Sequence, residues 1–279
     1  MLQSNGTVLE KYRGTGGAMV IPDGVVQIKS MFMDTGTAAS VTSLTLPGSV
    51  REIEGWTFNN CVELSSVTLP SGLRTLGDYA FSGCSGLTSV TVPAGLSETG
   101  SGVFSDCGLS RVTLQSGLKS IGSSMFSGCQ KLVFLSVPAS VTEIGSRAFA
   151  NCGSLNSVII ENGNAQIGED AFSQGSFMGI PMTGASGLTI SAPSGGTVEA
   201  YCKAHNITFR ATGSVPTQPG TPSNPGTPAA AAPTNDSLTA DGVLQSPTVY
   251  KINDSNYFKI RELANSLDCT DPASSDRCN

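Results

Sequence analysis

The chain repeats one pattern of apolar and polar positions about every 23 residues. A run such as 87–92 ends in alternating apolar and polar side chains, which predicts a short strand with Val90 and Val92 directed inward. A second apolar edge follows in each unit, as at Leu73 and Leu76, and then an aromatic residue and a cysteine. One unit has too few apolar residues to close a core, so successive units must bury their edges against each other. The pattern predicts a solenoid with one parallel strand per coil.

Phenylalanine and cysteine recur at almost constant spacing. The phenylalanines lie 23, 23, 22, 23 and 23 residues apart, at Phe58, Phe81, Phe104, Phe126, Phe149 and Phe172. The cysteines lie 23, 23, 22 and 23 residues apart, at Cys61, Cys84, Cys107, Cys129 and Cys152. A proline marks the corner after most strands, while Gln115 and Glu161 replace it in two units. We therefore expect each residue type to form a row along the solenoid.

The cysteine row is expected to be structural. Cysteine is small, apolar enough to bury and a weak hydrogen-bond donor. Strands about 4.8 Å apart would permit a disulfide by distance, but their Cβ bonds run parallel, which favours free thiols. Disulfides between coils remain the alternative. No metal site is expected, because each coil supplies one cysteine and no histidine beside it.

The repeated pattern Leu-x-x-Val-x-Leu-Pro-x-x-Val-x-x-Ile-Gly-x-x-Ala-Phe-x-x-Cys resembles the BspA-type leucine-rich repeat of bacterial surface proteins, over about residues 20–210. The resemblance implies a mostly β, right-handed leucine-rich-repeat solenoid. Residues 194–209 resemble the short helix and final strand that close such a solenoid. The resemblance also implies adhesion to host or matrix proteins or to other cells.

Composition divides the chain into three parts. We expect the solenoid to occupy residues 1–211 and a disordered Pro/Thr/Gly/Ala linker to occupy 212–234. Within 235–279, the stretch 247–264 resembles the start of a stalk domain, also described as a copper amine oxidase amino-terminal-like domain. That resemblance implies an incomplete, non-catalytic module. We expect a cut or frameshifted end after it, at 269–279, where the sequence departs from that family.

Charge and hydropathy exclude several partners. The formal net charge of -6 and the pI near 4.8 argue against nucleic acid, which requires a basic surface. No run of 18 apolar residues is present, so no membrane span is predicted. The first residues lack a signal segment. Because the family is exported, we expect that a leader is missing and that the protein is secreted or displayed on the cell surface.

Catalytic residues are not apparent in this sequence. The single histidine, His205, falls in the closing segment, where a surface position on the helix explains it better than a catalytic base. No carboxylate pair recurs near a nucleophile. We expect neither an enzyme nor a cofactor.

The outward positions of the predicted strands are the candidate binding surface. Most of them are serine or threonine, but Arg111, Phe134 and Ile159 interrupt that pattern in adjacent coils. An exposed aromatic beside an arginine is typical of interface anchors, so these residues, with Thr113 and Ser136, form the predicted site. Sequence drift on an inert surface is the alternative. A second candidate is the charged corner, which comprises Arg51, Glu52, Arg74, Glu98, Lys119 and Glu143.

These patterns favour a non-enzymatic extracellular or cell-surface protein whose solenoid binds a protein or a glycan. The competing hypothesis is a structural spacer or accessory module of a larger wall-associated protein.

Overall fold

The computed structural model describes residues 7–12, 14–30, 35–174 and 187–214, together with the backbone of several short strands outside these ranges. The chain divides into two compact units, Met1–Thr217 and Gln218–Asn279. In the second unit, the described strands form antiparallel pairs and are Pro233–Thr234, Leu238–Ala240, Val243–Gln245, Val249–Ile252 and Ser255–Phe258. Most of the predicted linker, and the residues from 259 to the end, lie outside the described residues.

The first unit is the predicted parallel β-solenoid. One strand of each coil contributes to a face that we call the main sheet, where pairing between coils is parallel throughout. Its strands are Gly17–Val20, Val41–Thr45, Ser89–Val92, Arg111–Leu114, Phe134–Val137, Ser157–Ile160, Thr189–Ser194 and Thr208–Ser214. Between the second and third of these, the coil of Val67 joins the sheet only through a bridge to Leu44. Residues Val90, Val92 and their equivalents are buried, as their alternation predicts.

A second ladder, which the sequence pattern did not predict, lies on the apolar edge after the corner. Its coil strands are only two residues long, at Gln27–Ile28, Glu52–Ile53, Thr75–Leu76, Glu98–Thr99, Ser120–Ile121, Glu143–Ile144 and Gln166–Ile167. This ladder is interrupted between Glu98–Thr99 and Ser120–Ile121. A hairpin of Leu2–Ser4 and Val8–Tyr12 extends this ladder at its amino-terminal end. The inward members, such as Ile53 and Leu76, are fully buried.

The phenylalanines form one continuous stack through the core. Neighbouring rings from Phe58 to Phe172 lie 5.1–5.8 Å apart between centroids and 9–21° from parallel. At most 1% of each residue is exposed. Stacked aromatic pairs of this kind contribute about 0.5–1.5 kcal/mol each beyond the burial of their area. The stack therefore joins the six coils from Phe58 to Phe172 through the core.

Backbone hydrogen bonds reinforce the corner that holds this stack. The amide of Phe81 donates to the carbonyl of Val103 in the next coil at 2.9 Å, and Tyr79 and Gly83 donate to Ser101 and Ser105 at 2.9 and 2.8 Å. Equivalent sets of three bonds repeat in the neighbouring coils. The residues two before and two after the phenylalanine adopt positive φ, which directs these alternate amides along the axis, and this explains Asn, Asp or Gly two residues after it in five coils.

The cysteines are also stacked, and each thiol has a backbone acceptor. The sulfur atoms of Cys84, Cys107, Cys129 and Cys152 donate to the carbonyl of the phenylalanine in the preceding coil at 3.1–3.3 Å. These four, together with Cys61 and Cys202, are buried free cysteines. Cys269 and Cys278 lie outside the described residues.

Burial changes the titration of these thiols. It raises the pKa of Cys152 to about 12 and moves the pKa of Cys129 well above its usual range. Hydrogen bonding to Cys107 and Cys61, and burial, raise the pKa of Cys84 as well. The folded state therefore holds these thiols in their neutral form.

Two helices complete the first unit. The short helix Thr35–Ala39 precedes the strand Val41–Thr45. The helix Thr197–Ala204 lies near the carboxyl-terminal end and buries Val198 and Cys202, as expected for a segment that closes the core. The strand Thr208–Ser214 then ends the main sheet.

A non-proline residue at the corner after a strand adds hydrogen bonds to the preceding coil of the main sheet. Gln115 donates its amide to Val92 of the preceding coil at 3.1 Å, and Glu161 donates to Val137 at 3.0 Å. Their side-chain oxygens accept the amides of Ala94 and Ala139, at 3.1 and 3.0 Å. A proline at the corner can donate no such bond. Each of these two non-proline coils is accordingly paired with the coil before it.

Short strands that end in proline fail to pair with the preceding coil. Among the described strands, Phe134–Val137 precedes Pro138 and forms no ladder with Arg111–Leu114, and Ser89–Val92, before Pro93, forms none with the coil of Val67. A proline at this corner does not always interrupt the sheet, since Val41–Thr45 and Thr189–Ser194 pair with the preceding strand through the residues before Pro47 and Pro193. The main sheet is thus interrupted at defined corners.

Replacing Gln115 by proline should create a new interruption. Gln115→Pro removes both the amide donor to Val92 and the side-chain acceptor for Ala94, and we expect a loss of about 1–3 kcal/mol in the free energy of unfolding, measured by urea denaturation. Gln115→Ala keeps the amide and is the matched control, with an expected loss of about 0.5–1.5 kcal/mol. Equal losses in the two variants would show that the corner amide does not hold the strands together.

The raised thiol pKa values predict a loss of stability at alkaline pH. Unfolded cysteines ionise near their ordinary value of 9.0 while the folded thiol of Cys152 stays protonated to about pH 12. Its contribution is therefore complete below pH 9 and declines between pH 9 and 12, by up to about 1.4 kcal/mol per pH unit. Under reducing conditions, Cys152→Ala should flatten the dependence of unfolding free energy on pH in this range. The same slope in both proteins would contradict the account.

Candidate functional site

A groove opens in the outward face of the main sheet where the ladder is interrupted between Arg111–Leu114 and Phe134–Val137. Its volume is about 610 Å³. The lining residues come from both strands, from the turns beside them and from the next corner, and they are Ser110, Arg111, Val112, Thr113, Leu114, Ser116, Val133, Phe134, Ser136, Pro138 and Glu161. Pro138 both borders the groove and lacks the amide that could have closed it.

Four of the five residues predicted from the sequence line this groove. Arg111 and Thr113 are exposed on one strand, and Phe134 and Ser136 face outward on the other. Phe134 is 49% exposed, which is unusual beside a row of fully buried phenylalanines. Ile159 lies opposite Ser136 on the following strand, is half-buried and does not line the groove.

The groove has opposite charges at its two ends. Arg111 begins one strand, and its guanidinium forms no ion pair or hydrogen bond within the described ranges. Glu161 follows the end of Ser157–Ile160, where one carboxylate oxygen accepts the amide of Ala139. Because the strands are parallel, the positive end lies where strands begin and the negative end where they finish.

Between these charges the groove is lined by four apolar residues together with the hydroxyl residues Thr113 and Ser136. Val112 and Leu114 point toward the core but retain 8% exposure at the gap, whereas the equivalent Leu135 and Val137 are fully buried. Val133 is 47% exposed beside Phe134. Sequence reasoning missed Val133, Pro138 and Glu161. Pro138 and Glu161 could have been noticed in the sequence, because the corner residue changes from proline to glutamate between these neighbouring coils.

The charged corner offers less for a ligand. Arg51 donates to the carbonyls of Gly48 and Val50 at 2.7 and 3.1 Å, and Arg74 donates to those of Leu73 and Gly95 at 3.3 Å. These guanidinium groups are already engaged with the turns of their own and the next coil. They help to fix the corner.

His205 is engaged with the closing helix. Its ring stacks on Tyr201 at 4.0 Å, and its Nδ1 lies 2.9 Å from the Tyr201 carbonyl oxygen. Across the described part of the chain, no three histidine, cysteine or acidic side chains group in a way that could hold a metal ion. The helices of that part include none with the length and apolar character needed to cross a membrane.

Comparison with known proteins identifies the repeat. A family model for the BspA type leucine-rich repeat region matches six copies, over residues 18–133 and 51–178, which together exceed half of the chain. No curated protein matches the chain.

Several solved structures are similar to the chain at low identity. A leucine-rich repeat protein from Bacteroides ovatus is 20% identical, with 68% of each chain covered and a TM-score of 0.37. The leucine-rich repeat protein of T. pallidum is 23% identical, with 74% of this chain and 91% of that one covered and a TM-score of 0.42. A leucine-rich cell surface protein from Faecalibacterium prausnitzii is 20% identical over 58% of this chain and 60% of its own, with a TM-score of 0.29.

The matched residues include the coils whose phenylalanines and cysteines stack through the core, and the chain therefore belongs to the BspA type leucine-rich repeat family.

Proposed function

We propose that this chain is a non-enzymatic binding module that acts outside the cell and recognises a macromolecular ligand at the groove in its main sheet. The observation that carries the proposal is that the guanidinium of Arg111, which has no ion pair or hydrogen bond among the described residues, lines the same groove as the half-exposed Phe134. An arginine and an aromatic residue at the centre of a recessed site are the side chains that dominate binding energy at interfaces.

Membership of the BspA-type family supports an extracellular role, because that resemblance implies surface proteins that adhere to host, matrix or other cells. The acidic net charge of -6 favours a protein or a glycan over nucleic acid. Main-sheet positions outside the groove are mostly small hydroxyl residues, such as Ser89 and Thr91. That uniform surface favours the second candidate, a structural spacer within a larger wall-associated protein.

Binding measurements on the full chain distinguish the two functions. The chain would be tested against immobilised purified extracellular-matrix proteins and surface glycans by biolayer interferometry. For any ligand bound by the wild type, Arg111→Ser combined with Phe134→Ser should weaken binding at least tenfold, a loss of about 1.4 kcal/mol or more. The double substitution restores the hydroxyl surface of the other coils and leaves the core intact.

Arg210→Ser is the matched control, because Arg210 is exposed in the last strand of the same sheet. It should leave affinity unchanged. A chain that binds nothing in the panel supports the spacer, and a folded double variant with wild-type affinity shows that the groove is not the site.

A further inference from the structure

We infer that the groove binds a peptide segment of dipolar character, with a carboxylate at one end, a large apolar side chain in the middle and a cation at the other end. This inference rests on the proposed function and names the chemistry of its ligand.

The positive end of the groove requires an anion. Arg111 has no carboxylate partner within the described ranges, and the outward strand positions of the main sheet hold no acidic residue. A guanidinium presents a planar set of donors that fits a carboxylate bidentately. Desolvating Arg111 without such a partner would cost free energy, so a ligand that covers the groove must supply the charge.

The middle of the groove requires an apolar group. Val112 and Leu114 form the floor, and Val133 and Phe134 stand beside it. The volume of about 610 Å³ lies within the roughly 300–1,000 Å³ typical of ligand sites. A strand of four residues spans about 13 Å, so the groove accommodates about four residues of extended peptide. A side chain such as leucine or phenylalanine would remove this surface from water.

The negative end of the groove selects against uniformly acidic ligands. The carboxylate of Glu161 lines the end opposite Arg111 and is held there by its bond to the Ala139 amide. A polyanionic glycan would place like charge against Glu161, which is unfavourable, whereas a peptide can place a lysine or an arginine there. Charge complementarity along the groove therefore favours a peptide over an acidic polysaccharide.

NMR titration with short capped peptides tests this inference on the full chain. The probe is acetyl-Glu-Leu-Phe-Lys-amide, and we expect saturable shifts at the amides of Thr113 and Ser136. Two matched peptides, with Gln replacing both charged residues or with Gly replacing both apolar ones, should bind at least tenfold more weakly. A polyuronate oligosaccharide should cause no shift at these amides.

Variants separate the parts of the site. Arg111→Ser should weaken binding of the charged peptide at least tenfold, so that its affinity no longer exceeds that of the Gln peptide. Pro138→Gln supplies the missing corner amide, so it should pair the two strands and prevent binding while leaving Arg111 and Phe134 in place. Arg210→Ser is again the control and should bind the peptide normally.

Equal affinity for the charged and Gln peptides, no shift with any peptide, or tighter binding of the polyuronate would overturn the inference. Failure of this inference and failure of the proposed function give different results. A ligand that depends on Arg111 and Phe134 while all peptides fail would leave the binding function standing and refute only the peptide chemistry. If the charged peptide binds but the affinity of macromolecular ligands does not depend on Arg111 and Phe134, the peptide chemistry would stand and the proposed function would be refuted.

Discussion

The stack of phenylalanines and the hydrogen bonds at its corner hold the six coils from Phe58 to Phe172 against one another. A coil of about 23 residues cannot enclose a core alone, so its stability depends on that contact. The corner supplies three amide-to-carbonyl bonds per coil and one aromatic contact, and the thiol of the adjacent cysteine adds a fourth bond to the preceding coil. The coil that is one residue shorter keeps its three corner bonds, and the ring separation between Phe104 and Phe126 is 5.8 Å, the largest in the stack.

Because the ring stack and the corner hydrogen bonds hold these coils together, the main sheet can be discontinuous. A proline corner removes one amide donor from the strand before it, and the ladder is open before Phe134–Val137 and before Ser89–Val92. The coils of Gln115 and Glu161 are each paired with the coil before them. Between these two pairs, the gap beside Pro138 forms a groove with charged ends. Neighbouring coils of one repeat family thus differ in accessibility through the choice of one corner residue.

The period in the sequence was sufficient to predict the solenoid, its parallel strands and the inward positions, while the short closing helix was predicted from the resemblance to the repeat family. These features follow from burial, which the spacing of apolar residues reports directly. The second ladder was missed because strands of two residues leave no alternation to detect. The bond from each thiol to a phenylalanine carbonyl was also missed, since it depends on which backbone group faces the next coil.

The candidate site was predictable only in part. Arg111 and Phe134 were visible as exceptions in a row of hydroxyl residues. Ile159 was placed in the same patch because it lies two residues beyond Ser157, the next member of that row, but it does not line the groove. The role of Pro138 could not be inferred from its identity, because Pro47 and Pro193 occupy similar corners of strands that do pair. Which proline corners leave the sheet unpaired is visible only in the pairing of the folded coils.

Amide hydrogen exchange measured by NMR tests most directly whether the phenylalanine corner, and not the main sheet, holds the solenoid together. Successive amides of a parallel strand point to opposite neighbours, and those of Phe134 and Ser136 face the interruption. The account predicts slow exchange at the amides of Phe81, Phe104 and Phe126, and clearly faster exchange at Phe134 and Ser136 than at their paired counterparts Ser157 and Ile159. Uniformly slow exchange across the main sheet, with faster exchange at the phenylalanine corner, would contradict it.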